Sequence, residues 1–350
     1  MTTLSCGAGY ASGGLGRHFA QLVEETRGRG DLEAYFCPLP QAGDPAGHQV
    51  NPRAVVPALA YTPIRFNPGW RTYVSGELFD RSVAGRVRRT PRHVGFSGQT
   101  LRTFEAVAAG TLELVSPTAH ADRLTERYGA AFRAFPLERP WLNKAGRRKA
   151  VAEYQRADVI HVASEYTRDS FLEAGVPTEK LVRVQLSLPD RYRPAPRERD
   201  GETFRVLYVG ALTVTKGVPV LLEAFRRLTG QVELVLVGGW ATRGMRHYVQ
   251  SCLAADPRIR VVSSDPLVQL READVLVHPS FSDGFGYAPM EALACGIPVI
   301  VTEDTGMKEH VRDGRDGWIV PTGSVDALLE RLTHLRTHPL RKSGSVNLDS

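Results

Sequence analysis

The sequence predicts an α/β fold with two Rossmann-like domains, each built on a parallel sheet. Three observations support this prediction. The chain has 350 residues, more than one domain usually contains. Short runs rich in Val, Ile and Leu alternate with helical patterns, as expected of buried parallel strands and their crossovers. A charged stretch with three prolines at 188–202 has the composition of a linker. We therefore predict domains at 1–187 and 203–337, a cleft where the carboxyl ends of their strands face each other, and a disordered polar tail at 338–350.

The second half of the chain carries the clearer pattern. Each apolar run is bounded by Gly, Pro, Ser or Asp, which is typical of strands buried on both faces. Strict alternation of such strands with helices indicates right-handed crossovers and a parallel sheet. The predicted strands are 204–210, 232–238, 258–263, 273–280 and 297–302, with helices at 218–228 and 288–296.

The first half alternates less cleanly. The segment before Cys6 is too weakly apolar to predict a strand with assurance. The predicted strands are 32–37, 92–98, 111–117 and 158–164, and the predicted helices are 15–25, 99–110 and 149–157.

Composition excludes several classes of protein. No run of about eighteen apolar residues is present, so we expect no transmembrane helix. The first residues lack the basic and apolar regions of a signal peptide. The four cysteines are far apart and form no C-x-x-C, which favours reduced thiols in a cytoplasmic protein over disulfides or a zinc site.

The net positive charge of the chain lies entirely in the first half. Residues 1–185 carry 24 Lys and Arg against 18 Asp and Glu, and the remaining residues carry 20 of each. The basic stretches at 86–93 and 144–149 could steer anionic ligands or touch acidic lipid headgroups, or they could be a solvated arginine-rich surface. Without interleaved aromatic residues, a nucleic-acid partner is not expected.

Two glycine-containing loops precede predicted helices. Near the amino terminus, Gly7 and Gly9 are followed by Ser12, so the spacing does not fit a nicotinamide-dinucleotide fingerprint. What remains is a Gly13-Gly14 loop that could bring backbone N–H groups close to a phosphate or sugar, or could simply start a helix. In the second half, Lys216 stands before a helix, where its ammonium would suit the diphosphate of a leaving nucleotide. The alternative is a solvated lysine.

The stretch SDGFGYAPMEALACG at 282–296 is the most informative. It follows a predicted strand, so it lies at the carboxyl edge of a sheet. The turn would expose successive backbone amides near a positive helix end. We place Glu291 in the first helical turn, where its carboxylate could bind a ribose diol, and we expect Asp283 to hold a hexose hydroxyl. Alternatively, Glu291 is only a partner of the helix dipole. The expected phosphate-binding backbone is that of Gly284, Phe285, Gly286, Tyr287 and Ala288.

This stretch resembles the acid-x7-acid signature of the family 4 retaining glycosyltransferases, which have the two-domain GT-B fold. The segments VGALTVTKG, TGMKEHVRDGRDGWIV and SGGLGRHFAQLVEE are similar to further family segments. The resemblance covers most of 204–337 and scattered parts of 11–185. Two positions depart from the pattern, since Asp283 stands where Glu is usual and Ala211 where many members carry an arginine.

The resemblance implies a metal-independent enzyme without a cofactor, in which a nucleotide diphosphate sugar is the co-substrate. It implies that Glu291 binds the ribose, Asp283 the donor sugar, and Lys216 with the 284–288 amides the diphosphate. His120 would contact the donor sugar, or it is an exposed loop residue. The expected reaction moves a hexose from a UDP- or GDP-sugar to a hydroxyl of a sugar, lipid-linked or small-molecule acceptor, with retention. A nucleotide-sugar epimerase and a non-catalytic binding subunit remain as alternatives. The expected location is cytoplasmic, with peripheral contact to an anionic membrane through the basic first domain as an option.

Overall fold

The computed structural model describes residues 1–50, 62, 67–195 and 203–340. They form two compact units. Unit 1 contains Met1–Thr125 and Arg139–Ser187, and unit 2 contains Glu126–Glu138 and the chain from Leu188 onwards. The predicted polar tail at 338–350 lies outside the described residues from 341 on, and the predicted linker lies outside them at 196–202.

Unit 1 is built on a parallel sheet of seven described strands in the order β3-β2-β1-β4-β5-β6-β7. The four strands predicted for this unit are confirmed to within two residues at their ends. The apolar pattern identified them because apolar side chains of these strands fill the core. The strands are β1 Thr2–Ser5, β2 Leu32–Cys37, β3 Gly47–Gln49, β4 Arg92–Phe96, β5 Thr111–Ser116, β6 Val159–Val162 and β7 Leu181–Arg183.

Six described helices connect these strands. The longest, α2, starts at Pro68 with Asn67 as its N-cap, because the Asn67 side chain accepts a hydrogen bond from the N–H of Trp70. The helices are α1 Gly13–Gly28, α2 Pro68–Ala84, α3 Leu101–Ala106, α4 Ala121–Ala134, α5 Lys144–Arg156 and α6 Glu165–Glu173.

Strand β1 is stronger in the structure than its sequence indicated. It lies inside the sheet between β2 and β4, with all four residues buried. Its polar side chains have partners there, since the hydroxyls of Thr3 and Ser5 lie 2.8 and 3.0 Å from the two ring nitrogens of His93. Propensity alone underrates such a strand, because its stability comes from neighbours that are distant in sequence.

A buried ionic cluster joins α2 to α5. The Lys149 ammonium lies 2.6 Å from a carboxylate oxygen of Asp80 and 3.0 Å from one of Glu77. Asp80 also accepts hydrogen bonds from the N–H groups of Arg102 and Thr103 at the start of α3. Because all of these charges are paired or hydrogen-bonded, the cluster fixes the three helices relative to one another.

Unit 2 is built on a parallel sheet of six described strands in the order β10-β9-β8-β11-β12-β13. Its five predicted strands are confirmed, and β13 at the sheet edge was not predicted. The strands are β8 Phe204–Val209, β9 Val232–Val237, β10 Ile259–Val262, β11 Val275–His278, β12 Val299–Thr302 and β13 Gly317–Val320. The helices are α7 Val218–Arg227, α8 Arg243–Ala255, α9 Pro266–Glu272, α10 Tyr287–Ala294 and α11 Val325–Thr337.

Residues 126–138, the end of α4 and the loop after it, are part of unit 2. The half-buried carboxylate of Glu138 accepts hydrogen bonds from the N–H of Val214, at 2.6 Å, and from the hydroxyl of Thr242, at 2.7 Å. The Arg127 guanidinium lies 3.1 Å from the carboxylate of Asp304. Unit 2 is therefore completed by a segment that a division of the chain at residue 187 assigns to the first domain.

Candidate functional site

The loop between β8 and α7 carries Lys216 at the carboxyl edge of the unit 2 sheet. The N–H of Lys216 donates a hydrogen bond to the Thr213 hydroxyl, and the N–H of Gly217 donates to the carbonyl of Val214. Gly217 has a positive φ of 71°, and a Cβ at this position would lie 1.9 Å from the Pro279 carbonyl oxygen. Only glycine fits here, so the loop packs directly against the backbone that follows β11.

Asp283 lies in the neighbouring loop, between β11 and α10. Its N–H donates to the carbonyl of Asp304, and its own carbonyl accepts from the N–H of Gly306. These two bonds make a parallel bridge to the segment after β12. The backbone of Asp283 is thus fixed on both sides, which sets the direction of its carboxylate.

The structure brings the side chains of Lys216, Asp283 and His278 together. The Asp283 carboxylate oxygen Oδ2 lies 2.6 Å from the Lys216 ammonium and 2.9 Å from Nε2 of His278. Burial acts to raise the pKa of the Asp283 carboxyl, but Lys216 and His278 outweigh it and hold that pKa far below its usual value. The carboxylate is therefore ionised at neutral pH. It forms an ion pair with Lys216, the residue that was predicted to bind phosphate.

Two helices start at this site without a side-chain cap. The N-caps of α7 and α10 are Gly217 and Gly286, both in the left-handed region and neither with a capping side chain. Each helix presents the positive end of its dipole at the carboxyl edge of the sheet. A cation, a carboxylate and two helix N-termini at one sheet edge can bind a ligand that has an anionic part and a hydroxylated part.

The position of Glu291 differs from the sequence prediction. Helix α10 starts at Tyr287, so Glu291 lies in the second turn, and the first turn holds no acid. The residue is 2% exposed. The dipole explanation for Glu291 was therefore wrong, because the favourable effect of a helix N-terminus on an acid is confined to the first turn.

The turn predicted to carry phosphate-binding amides is mostly buried. Gly284, Phe285 and Gly286 are buried, whereas Tyr287 and Ala288 are half-buried. A Cβ on Gly286 would lie 3.1 Å from side-chain atoms of Met307 and Pro289, so glycine keeps this turn close to its neighbours.

The remaining predicted residues, Gly13, Gly14 and His120, belong to unit 1. Gly13 and Gly14 start α1, where the N-cap Ser12 makes no side-chain capping bond. His120 is not the exposed loop residue of the alternative reading, since it is 5% exposed and packs on Tyr154 and Phe171. Burial lowers the pKa of its imidazole, which is neutral at pH 7 for that reason.

Sequence reasoning missed His278 and Glu138. His278 is the last residue of β11 and is followed by Pro-Ser, so its position at a strand end could have identified it. Nothing in the sequence near Glu138 indicates its contacts, because its partners are 76 and 104 residues away. Over the described ranges, no group of three or more His, Cys, Asp or Glu is placed to hold a metal ion. The described helices include none that is long and apolar enough to cross a membrane.

Residues 192–343 match the family model of glycosyl transferases group 1. Just under half of the chain therefore resembles the glycosyl transferases of group 1. Lys216, His278, Asp283 and Glu291 all lie inside the matched range.

Two bacterial relatives extend this finding. The chain is 32% identical over 151 residues to a D-inositol 3-phosphate glycosyltransferase of Paenarthrobacter aurescens, covering 39% of this chain and 37% of that protein. It is 28% identical over 293 residues to a GDP-mannose-dependent alpha-(1-6)-phosphatidylinositol monomannoside mannosyltransferase of Mycolicibacterium smegmatis, covering 75% of this chain and 73% of that protein. The chain spans about half the length or less of the first curated relatives it matches.

A solved structure shows that the resemblance in fold extends beyond the matched range. The sucrose-phosphate synthase of Thermosynechococcus elongatus aligns with a TM-score of 0.74 at 18% identity, covering 97% of this chain and 90% of that one. The fold of the chain is thus GT-B, with one parallel sheet in each unit.

Proposed function

We propose that this chain transfers a hexosyl group from a UDP- or GDP-sugar to an acceptor hydroxyl, with retention at the anomeric carbon. The observation that carries the proposal is the contact of Lys216 with Asp283 between two glycine-capped helix starts. A cation and helix N-termini suit a diphosphate, and a fixed carboxylate suits a sugar hydroxyl. The match of residues 192–343 to group 1 supports glycosyl transfer, and the GDP-mannose dependence of the mannosyltransferase relative favours a nucleotide-sugar donor.

The proposed roles follow from chemistry and position. Lys216, the amides of 284–288 and the two helix starts bind the diphosphate, Asp283 accepts a hydrogen bond from a hexose hydroxyl, and Glu291 binds the ribose. Donor binding then requires Lys216 to move from Asp283 towards phosphate, or to contact both. The roles of Gly13, Gly14 and His120 stay predictions from the family resemblance.

The proposed reaction is a front-face displacement. The bond between the anomeric carbon and the leaving diphosphate oxygen breaks, and its electron pair stays on the diphosphate. The acceptor oxygen forms a bond to the anomeric carbon on the same face, and its proton passes to the leaving phosphate oxygen. Lys216 and the helix N-termini stabilise the negative charge that develops on the diphosphate, which is the main contribution of the protein. We propose that neither a metal nor a further cofactor takes part.

The acceptor is proposed to be a sugar, a lipid-linked sugar or a small hydroxylated molecule. Both relatives named above act on inositol-containing acceptors according to their names, which favours this group of acceptors for the first test. Contact with an anionic membrane through the basic first half, and a cytoplasmic location, stay predictions from the sequence.

Incubation of the purified chain with UDP- and GDP-hexoses, with and without inositol-based acceptors, tests the proposal. The expected result is acceptor-dependent nucleotide release and an NMR spectrum of the product that shows the anomeric configuration of the donor. Lys216→Met and Asp283→Asn should each abolish most of this release. Nucleotide binding without turnover would instead support a binding subunit, and sugar conversion without an acceptor would support an epimerase. A product of inverted configuration would refute the front-face mechanism.

A further inference from the structure

Unit 1 contains a cavity of about 770 Å³ at the carboxyl ends of its central strands. Its floor is formed by residues in the loops after β1, β4 and β5, among them Gly7, Gln99 and Thr118. Ligands of parallel α/β sheets bind at this edge, and the volume lies in the range of sites for drug-sized molecules.

The walls of the cavity are mostly apolar. Leu15, Phe79, Leu124 and Trp141 are among the residues that line it. No lining residue is Asp or Glu, and Arg71 is the one charged side chain among the described residues that line the cavity. Apolar walls favour an apolar occupant, at about 25 cal/mol for each Å² removed from water.

Helical spacing keeps the buried ionic cluster of α2 and α5 out of the cavity lining. On α5, Gly146, Ala150 and Tyr154 face the cavity, and their small side chains at 146 and 150 leave space. Lys149, on another face of α5, forms the buried ionic cluster with Glu77 and Asp80 of α2. The buried charges of Glu77, Asp80 and Lys149 are therefore paired with one another and do not line the cavity.

The floor is held in place without a ligand. The carboxylate of Glu153 accepts hydrogen bonds from three backbone donors in the loop after β4, the N–H groups of Gly98, Thr100 and Leu101. Between them, Oε1 of Gln99 accepts from the N–H of Gly7 at 2.7 Å. Such pre-organisation lowers the entropy lost on binding.

We propose that this cavity binds the apolar body of an anionic amphiphilic acceptor, an alkyl or isoprenyl chain joined to a phosphate, with Arg71 next to the anionic group. In the described part of the chain, the Arg71 side chain makes no ion pair, so its guanidinium is available for an anion. The acceptor role rests on the proposed function, but the binding itself does not require transfer.

Titration of the full-length chain with decyl phosphate, butyl phosphate and decyl maltoside, below their micelle concentrations, tests the proposal. Trp141 lines the cavity, so its fluorescence reports occupancy directly, and a Trp141→Phe variant identifies its signal among the four tryptophans. We expect decyl phosphate to bind at least tenfold more tightly than butyl phosphate and at least threefold more tightly than decyl maltoside. Equal affinities for the two phosphates would overturn the apolar part of the proposal, and equal affinities for the two decyl compounds would overturn the anionic part.

Variants locate the binding in the cavity. Ala150→Leu fills part of it and should weaken decyl phosphate at least tenfold, whereas Ala145→Leu on the same helix, outside the lining, should not. If Ala150→Leu does not fold, Thr72→Trp adds bulk from an exposed lining position instead. Arg71→Gln should remove the preference for phosphate. Unchanged affinity in a folded cavity-filling variant would refute the assignment. Decyl phosphate binding without nucleotide release from any donor would contradict the proposed function and leave this inference standing.

Discussion

Replacing Asp283 by Asn should tighten the binding of a free nucleoside diphosphate. The Asp283 carboxylate holds the Lys216 ammonium at 2.6 Å, so it competes with phosphate for that cation. It also places a negative charge beside the site where the diphosphate is proposed to bind. An asparagine keeps the shape of the side chain and the backbone bonds to Asp304 and Gly306, but it releases Lys216.

The size of the effect follows from the burial of the pair. The Lys216 side chain is 31% exposed and that of Asp283 is 17% exposed, so their contact lies between a surface pair and a buried one. Surface pairs contribute roughly 0.2–1 kcal/mol, and hydrogen bonds to charged groups roughly 1.5–3 kcal/mol. Release of Lys216 should then contribute about 1 kcal/mol to diphosphate binding, a factor of about five in affinity.

Isothermal titration of UDP and GDP into the wild-type chain and Asp283→Asn measures this change. The intact nucleotide sugar should not gain the same factor, because the variant loses the proposed carboxylate contact with the hexose. Asp326→Asn is the matched control, since Asp326 is an exposed acid of unit 2 that pairs with Arg227. Unchanged or weaker diphosphate binding by Asp283→Asn would show that the carboxylate does not compete for Lys216.

Four further predictions concern binding and stability. Lys216→Met should weaken UDP or GDP binding about tenfold in the same titration, since it removes the cation of the site. Glu138→Leu should leave the N–H of Val214 without its acceptor and lower the free energy of unfolding by about 1–3 kcal/mol. It should also weaken nucleotide binding several-fold without changing the preference between UDP and GDP. Lys149→Met should lower the free energy of unfolding of unit 1 by about 3–5 kcal/mol, measured by urea denaturation, because it leaves Asp80 buried without its cation and takes one of three cationic partners from Glu77. Burial raises the pKa of Glu153 from 4.5 to about 7, so its contribution to stability is present below pH 4.5 and is lost as the pH rises through 7. Amide hydrogen exchange at residues 98–101 should therefore accelerate between pH 5 and 8 by more than the intrinsic pH dependence of exchange. The difference should correspond to a loss of up to about 3 kcal/mol of protection, and Glu153→Gln should remove it.

The sequence predicted the parts of the fold that depend on local apolar pattern. The strands of unit 2 are runs of Val, Ile and Leu, and their predicted ends agree with β8–β12 within two residues. Strand β1 is made of Thr, Leu and Ser, and its place inside the sheet depends on His93, about 90 residues away. A local pattern carries no information about such a partner.

The candidate site was likewise predicted only where local sequence pattern determines the structure. The loops that carry Lys216 and Asp283 could be placed at one sheet edge, because each directly follows a predicted strand of a parallel sheet. The ion pair between them, and the addition of His278, depend on side-chain geometry that spacing does not give. Glu291 was placed one turn too early because helix boundaries depend on the conformation of a single residue, here Gly286 with its positive φ.

The assignment of residues 126–138 to unit 2 matters for building chimaeras. An exchange of the second half of the chain at residue 188 would separate Val214 and Thr242 from Glu138, and Asp304 from Arg127. The recipient would then supply its own residues at these positions, and a mismatch would leave a buried N–H and a buried acid without partners. The residues that form unit 2 are therefore not contiguous in the gene. A chimaera that exchanges unit 2 has to include residues 126–138 together with the second half of the chain.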